Sequence, residues 1–148
     1  MINKYKKYAS LLNAHDVRGH IIQDVAFIDI LLSVVISMYF TKDDRFSLFH
    51  NTIMDKMGFS QKIEILQEIV KRKQYKSAEV VQRLNRIKKL RNCIAHTNFL
   101  STYEKIFKDE SIINIISNYP ESYEKEIETI KRQLRRLGDT KEFSEHKA

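Results

Sequence analysis

An arginine, an asparagine and a histidine near the end of one predicted helix are the strongest candidates for a chemical site. Arg91 follows Ile87 by four residues and precedes Ile94 by three, so it falls within an apolar stripe. Removing a guanidinium from water is costly unless a carboxylate, a phosphate or carbonyl groups receive it. His96 can exchange a proton near neutral pH, because histidine has an ordinary pKa of about 6.5. One helix end can therefore bring Arg91, Asn92 and His96 together.

The helix that would position these residues is predicted over 77–95, with Ser77 as its N-terminal cap. Arg91 falls at the border between an apolar and a polar stripe of this helix, so its guanidinium is expected to lie partly within the core. The apolar face is formed by Val80, Val81, Leu84, Ile87, Leu90 and Ile94. The polar stripe beside it is formed by Asn85, Lys89, Asn92 and His96.

The remaining chain has the composition of an all-α protein. It contains three glycines and one proline, too few turn residues for a many-stranded sheet. We expect 148 residues to form one domain, a small antiparallel bundle of about five to six helices, with a basic lead over 1–15 and a frayed tail over 139–148. Apolar periodicity places helical segments at 16–40, 46–57, 60–73, 77–95, 102–107, 110–118 and 123–137.

The most apolar stretch of the chain raises the question of a membrane span. It runs from Val25 to Phe40, which is 16 residues, and includes Asp29. A span needs roughly 20 apolar residues, and an acid at its centre costs about 2.5 to 3.5 kcal/mol on insertion scales. We therefore interpret the stretch as a core helix. Its two apolar stripes exceed what a small bundle can cover, which favours a homodimer.

The single cysteine limits the kinds of site that the chain can hold. Cys93 cannot form an intrachain disulfide, and no Cys and His residues stand at metal-ligand spacing, so we expect neither a metal nor another cofactor. Cys93 is interpreted as a packing residue and His20 as an ordinary surface or packing residue. The basic start is not followed by an apolar segment typical of secretion, so a cytoplasmic protein is expected.

The segment Arg91-Asn92-Cys93-Ile94-Ala95-His96 resembles the R-N-x-x-x-H signature of HEPN domains. These are small helical bundles common in prokaryotic toxin–antitoxin and phage-defence systems. The signature follows a basic amphipathic helix in that family, after a long apolar first helix, and the same order is predicted here over about residues 15–137. The resemblance implies a metal-independent endoribonuclease with an antitoxin or a nucleotidyltransferase as a further partner.

The activity implied by the resemblance is attack of a ribose 2′-hydroxyl on the neighbouring phosphate, which leaves a 2′,3′-cyclic phosphate and a 5′-hydroxyl. Arg91 would hold two phosphate oxygens and stabilise the transition state, and His96 would transfer a proton. Asn92 would orient His96 or bind the phosphate. Because each chain offers one such histidine, the resemblance implies a composite site in a homodimer.

Basic residues are concentrated just before the motif and predict contact with RNA. The window 71–91 contains nine lysines and arginines and one acid, in a chain of net charge +7. A cationic strip would attract a phosphate backbone without choosing a sequence, although charge runs also form ordinary solvated helix faces. The candidate nucleic-acid-binding residues are Lys71, Arg72, Lys73, Arg86, Lys88 and Lys89.

Two alternatives remain open at the level of the sequence. Arg91 could have a structural role, for which Asp29 within the most apolar helix is the candidate partner. The chain could also be a non-catalytic interaction or regulatory module, for example the accessory partner of a nucleotidyltransferase. Some HEPN toxins carry a modified tyrosine two residues after the motif histidine; the residue here is Asn98, which puts that form of regulation in doubt.

Overall fold

The structure, a computed structural model, describes residues 2–73, 79–95 and 108–140, and these residues are all-helical, without a strand. The all-α prediction is confirmed. The expected count of five to six helices is too low, since the described residues include seven α-helices and one 3₁₀ turn, Met54–Lys56. The helices are α1 (Ile2–Asn13), α2 (His15–Phe40), α3 (Asp43–Thr52), α4 (Phe59–Lys73), α5 (Glu79–Ala95), α6 (Glu110–Ile116) and α7 (Glu121–Gly138).

Helix α1 replaces most of the basic lead that was expected before the bundle. It contains neither glycine nor proline, and Tyr8 and Leu12 stand four residues apart on one face. Both side chains are buried, and α1 packs against α2. The apolar pair thus joins a lysine-rich segment to the core.

Helix α2 is the central element and contacts α1, α3, α4, α5 and α7. One side, which includes Ile21, Val25, Ile28 and Leu32, is completely buried. The helix is long and apolar enough to cross a membrane by length and composition, but 44% of its most apolar 18-residue window is buried against the protein. This partial burial is consistent with the predicted core helix.

The helices around α2 do not simply alternate in direction. The start of α2 contacts the end of α5 through Arg18 and Ile94, so these two helices are antiparallel. Helix α7 runs parallel to α2, because its start lies near Asp24 and Gly138 lies beside Val35. Helix α4 also runs parallel to α2, because Lys62 near its start contacts Asp29, and Ile69 near its end lines one cleft with Tyr39 and Phe40.

Two predicted helix boundaries had different outcomes. The predicted helix over 46–57 is divided, since α3 is Asp43–Thr52 and the 3₁₀ turn follows. Gly58 lies between this turn and α4. Its φ is not positive, and its N–H donates a hydrogen bond to Oε1 of Gln61 at 3.0 Å. The predicted start of segment 110–118 is confirmed, and Asp109 caps this helix, because its carboxylate accepts a hydrogen bond from the N–H of Ser111 at 3.0 Å.

Candidate functional site

Arg91 lies between the core and solvent, as its place in the sequence predicts. Its guanidinium carbon is 5.6 Å from the ring centroid of Phe59, which α4 places beside the last turns of α5. One terminal nitrogen of Arg91 donates to Oδ1 of Asn92 at 3.1 Å. The Nε group is buried and has no hydrogen-bond partner in the described part of the chain. A buried donor without a partner is uncommon, and an anion could satisfy it.

The proposed pairing of Asp29 with Arg91 is wrong. Oδ1 of Asp29 lies 2.7 Å from Nζ of Lys62, a side chain only 6% exposed. A buried ammonium needs a close carboxylate, and the parallel packing of α2 and α4 places these two residues at the same level. Asp29 therefore forms its ion pair with Lys62. Within the described ranges, no carboxylate neutralises the charge of Arg91.

Asn92 is partly exposed on the polar side of α5, where it contacts Arg91. Its amide oxygen accepts from the guanidinium, which fixes the orientation of both side chains. Lys89 precedes Asn92 by three residues, so the two share one face of the helix. His96 lies outside the described residues, and the convergence of all three motif side chains stays a prediction.

Arg18 lies next to the candidate site, a contact that the sequence did not predict. One of its terminal nitrogens donates to the carbonyl oxygen of Ile94 at 2.7 Å, across 76 residues of sequence. Ile94 belongs to the last described turn of α5, between Asn92 and the motif histidine. The first turns of α2 are thereby connected to the end of α5 that carries the motif.

The basic strip is divided into two groups in space. Lys71 and Arg72 are exposed at the end of α4, about 18 Å along the helix from Phe59 and hence from Arg91. Arg72 also lies 3.7 Å from Glu68. The side chain of Lys73 lies outside the described part of the chain. The idea of one continuous strip beside the motif is wrong for this group, because antiparallel α4 and α5 separate residues that are near in sequence.

The second basic group lies on α5, close to the motif. Lys88 and Arg86 are partly exposed, and Lys89 is 59% exposed. Lys88 lies 3.3 Å from the hydroxyl of Ser60, and Lys89 lies 3.8 Å from a carboxylate oxygen of Asp109, so neither is tightly held. These three side chains remain suitable for phosphate contacts.

A hydrogen-bonded cluster joins the start of α7 to α2. Nδ1 of His20 is 2.7 Å from the Tyr119 hydroxyl, and its Nε2 is 3.2 Å from Asp24. Tyr123 donates to the same carboxylate oxygen of Asp24 at 3.0 Å. Burial, followed by the negative charge of Asp24, raises the pKa of Tyr123. The cluster holds two helices together, so His20 has more specific partners than expected for an ordinary surface residue.

Cys93 is not suited to nucleophilic chemistry. Its side chain is completely buried, and burial raises the pKa of the thiol to about 11. A buried thiol is a poor nucleophile near neutral pH. The interpretation of Cys93 as a packing residue is confirmed. The described residues also include no cluster of three or more His, Cys, Asp or Glu side chains that could hold a metal ion.

The clearest cleft lies away from Arg91. It has a volume of about 510 Å³ and is lined at its apolar side by Tyr39, Phe40, Met57, Ile65 and Ile69. These residues belong to the end of α2, to the segment before α4 and to α4 itself, and Arg91 is not among them. The candidate site at the end of α5 is therefore separate from this cleft.

Comparison with protein-family models, with curated proteins and with solved structures found no match to this chain. The resemblance to HEPN domains accordingly depends on the six-residue motif and on the order of the helices. The geometry around Arg91 is the independent support for a functional interpretation.

Proposed function

We propose that this protein is a metal-independent endoribonuclease of the HEPN type, acting in the cytoplasm as a toxin or in phage defence. The proposal depends on the environment of the Arg91 side chain. Its guanidinium is half buried, its Nε–H has no partner among the described residues, and Asp29 pairs with Lys62 instead. An RNA phosphate beside the guanidinium would provide the missing negative charge.

Each motif residue has a different role in the proposed reaction. A ribose 2′-oxygen forms a bond to the adjacent phosphorus, and the bond from phosphorus to the 5′-oxygen breaks. His96 of one subunit accepts the 2′-proton, and His96 of the second subunit of a homodimer donates a proton to the leaving oxygen. Arg91 stabilises the additional negative charge on the phosphate, and Asn92 maintains the orientation of the guanidinium.

The chain is predicted to form a homodimer through α2. Its Ile22, Phe27 and Ile30 are 44%, 45% and 60% exposed, which leaves an apolar face uncovered on the central helix. We expect Ile30→Lys to convert a micromolar dimer into a monomer in sedimentation experiments, because an interface cannot bury an unpaired charge cheaply. Leu48→Lys on α3, where the leucine is 70% exposed, is the matched control and should remain dimeric.

A wild-type monomer at micromolar concentration would remove both the interface and the composite site. A dimer that Leu48→Lys separates, and Ile30→Lys does not, would place the interface on α3 instead.

Replacing Lys88 and Lys89 with glutamine is predicted to weaken RNA binding by a similar factor for all sequences. Each lysine would neutralise one phosphate, which contributes about 0.7 to 0.9 to the slope of log affinity against log salt, so the double variant should have a slope shallower by roughly 1.4 to 1.8. Lys125→Gln with Arg132→Gln is the control of equal charge, since both residues are exposed on α7. Fluorescence anisotropy over a salt series measures both quantities.

An unchanged affinity, or a loss confined to one RNA sequence, would show that these lysines do not bind phosphates in general. Lys71→Gln with Arg72→Gln should have the smaller effect, because that group lies at the far end of α4.

The function itself is tested by incubating the purified protein with single-stranded RNA, and with DNA of the same sequence, in excess EDTA. We expect the RNA to be cut and the DNA to be bound but left intact, because DNA has no 2′-hydroxyl. If the folded protein leaves diverse RNAs uncut, the proposal fails and the non-catalytic interaction module becomes the better interpretation.

A further inference from the structure

We propose that Arg18 is a positioning residue for the candidate site, holding the motif-bearing end of α5 in place through the carbonyl of Ile94. The proposal rests on the ribonuclease function proposed above. It adds a residue from outside the motif, on a different helix, whose contribution no part of the sequence pattern indicates.

The geometry begins with the end of α5. Carbonyl groups in the last turn of a helix lack partners within that helix, and a turn without external partners frays readily. Ile94 lies in the last described turn of α5, and the guanidinium of Arg18 donates to its carbonyl oxygen at 2.7 Å. Arg18 is partly buried in the first turns of α2, the central helix of the bundle. The hydrogen bond therefore connects the last described turn of α5 to the central helix.

The charge of Arg18 contributes in the same direction as the hydrogen bond. The C-terminal end of a helix carries a partial negative charge, so a cation beside it is stabilising. A hydrogen bond from a charged donor is also stronger than one between neutral groups. Removing the guanidinium would remove both effects from one turn, while the buried face of α5 would keep its packing.

Two of the groups on which the proposed reaction depends belong to this part of α5. Arg91 and Asn92 precede Ile94 by three and two residues, and His96 follows it by two. A displacement of about 1 Å at reacting groups can cost a hundredfold in rate. Arg18 would thus act on the reaction through the position of the motif, without touching the RNA.

The test compares Arg18→Gln, which removes the charge, with Arg18→Lys, which retains it and can still donate to one carbonyl. Arg132→Gln on α7 is the control for loss of an exposed arginine. Amide hydrogen exchange followed by mass spectrometry reports on segment 91–95 independently of activity. Arg18→Gln should accelerate exchange in that segment and leave α7 and the rest of α2 protected. Arg18→Lys should restore most of the protection.

In single-turnover cleavage, Arg18→Gln should lower the rate at saturating RNA by roughly ten- to a hundredfold with little change in RNA affinity. Arg18→Lys should recover most of the rate. A purely structural role predicts instead a fall in melting temperature, with normal cleavage whenever the protein is folded.

The outcomes separate the two proposals. Unchanged exchange in segment 91–95, or acceleration that is equal in every helix, overturns the positioning role of Arg18 whether or not the protein cuts RNA. If Arg18→Gln does not fold, Arg18→Met, which removes the charge and keeps the apolar stem of the side chain, takes its place: faster exchange confined to segment 91–95 supports the role, and unchanged exchange there contradicts it. Local acceleration in Arg18→Gln, when the wild type cuts no RNA, would support the hydrogen bond to Ile94 and refute the ribonuclease.

Discussion

His96→Ala is expected to lower the rate of RNA cleavage by about a hundredfold or more, since general acid–base groups typically contribute 10² to 10⁴. The substitution removes the group that exchanges protons with the attacking and the leaving oxygen. Histidine is not a permanent cation at neutral pH, so the substitution should change RNA affinity little. Single-turnover rates and a parallel binding curve measure the two effects separately. His50→Ala on α3 is the matched control and should cleave like the wild type.

If His96→Ala cleaves RNA as fast as the wild type, the proposed site is wrong even though the protein is a nuclease. If the variant loses its dimeric state, the lower activity does not report on proton transfer, and mixed dimers with wild-type subunits then supply the test. A mixed dimer with one His96 should lie well below the wild type, because the proposed reaction uses one histidine from each subunit.

Arg91→Ala is expected to reduce cleavage to background, because the guanidinium binds the phosphate and stabilises its added charge. Arg91→Lys should retain much of the RNA binding and little of the cleavage, since an ammonium cannot hold two phosphate oxygens in a planar fork. Arg132→Ala, which removes an exposed arginine of α7, is the control for loss of charge. Cleavage by Arg91→Ala within threefold of the wild type would exclude its catalytic role.

The stability of the Arg91 variants distinguishes catalysis from packing. Asp29 pairs with Lys62, so Arg91→Ala leaves no buried carboxylate without a partner. The interaction of the guanidinium with the Phe59 ring is worth about 0.5 to 2 kcal/mol, so the variant should remain folded without it. Asp29→Ala should be the more damaging change, because it leaves the ammonium of Lys62 buried and unpaired; since Asp29 is 31% exposed, the cost should lie below the roughly 3 to 5 kcal/mol of a fully buried pair. Thermal denaturation of the two variants gives this order directly.

The helical architecture could be predicted because apolar periodicity is a local property. Every residue assigned to the apolar face of α5, from Val80 to Ile94, is buried, and the assigned end of α2 at Phe40 is correct. Helix α1 was missed because Lys4, Lys6 and Lys7 lie close together in its first half, although Tyr8 and Leu12 carried the signal. These two apolar residues, four apart, attach the helix to the surface of α2.

The partners of polar side chains could not be predicted, because they depend on which helices become neighbours. The sequence showed that Asp29 needs a cation, but Lys62 became its partner only through the parallel packing of α2 and α4. Arg18 and Ile94 are 76 residues apart, and His20 and Tyr119 are 99 apart, so no local pattern connects them. The division of the basic strip has the same cause.

The ends of the RNA products test the central claim most directly. A DNA strand that contains a single ribonucleotide offers one possible site for attack by an internal 2′-hydroxyl. In excess EDTA, the protein should cut this strand only after the ribonucleotide, and mass spectrometry should find a 2′,3′-cyclic phosphate on one product and a 5′-hydroxyl on the other. A 3′-hydroxyl with a 5′-phosphate, or cleavage at the deoxyribonucleotides, would contradict the account, because water would then be the nucleophile.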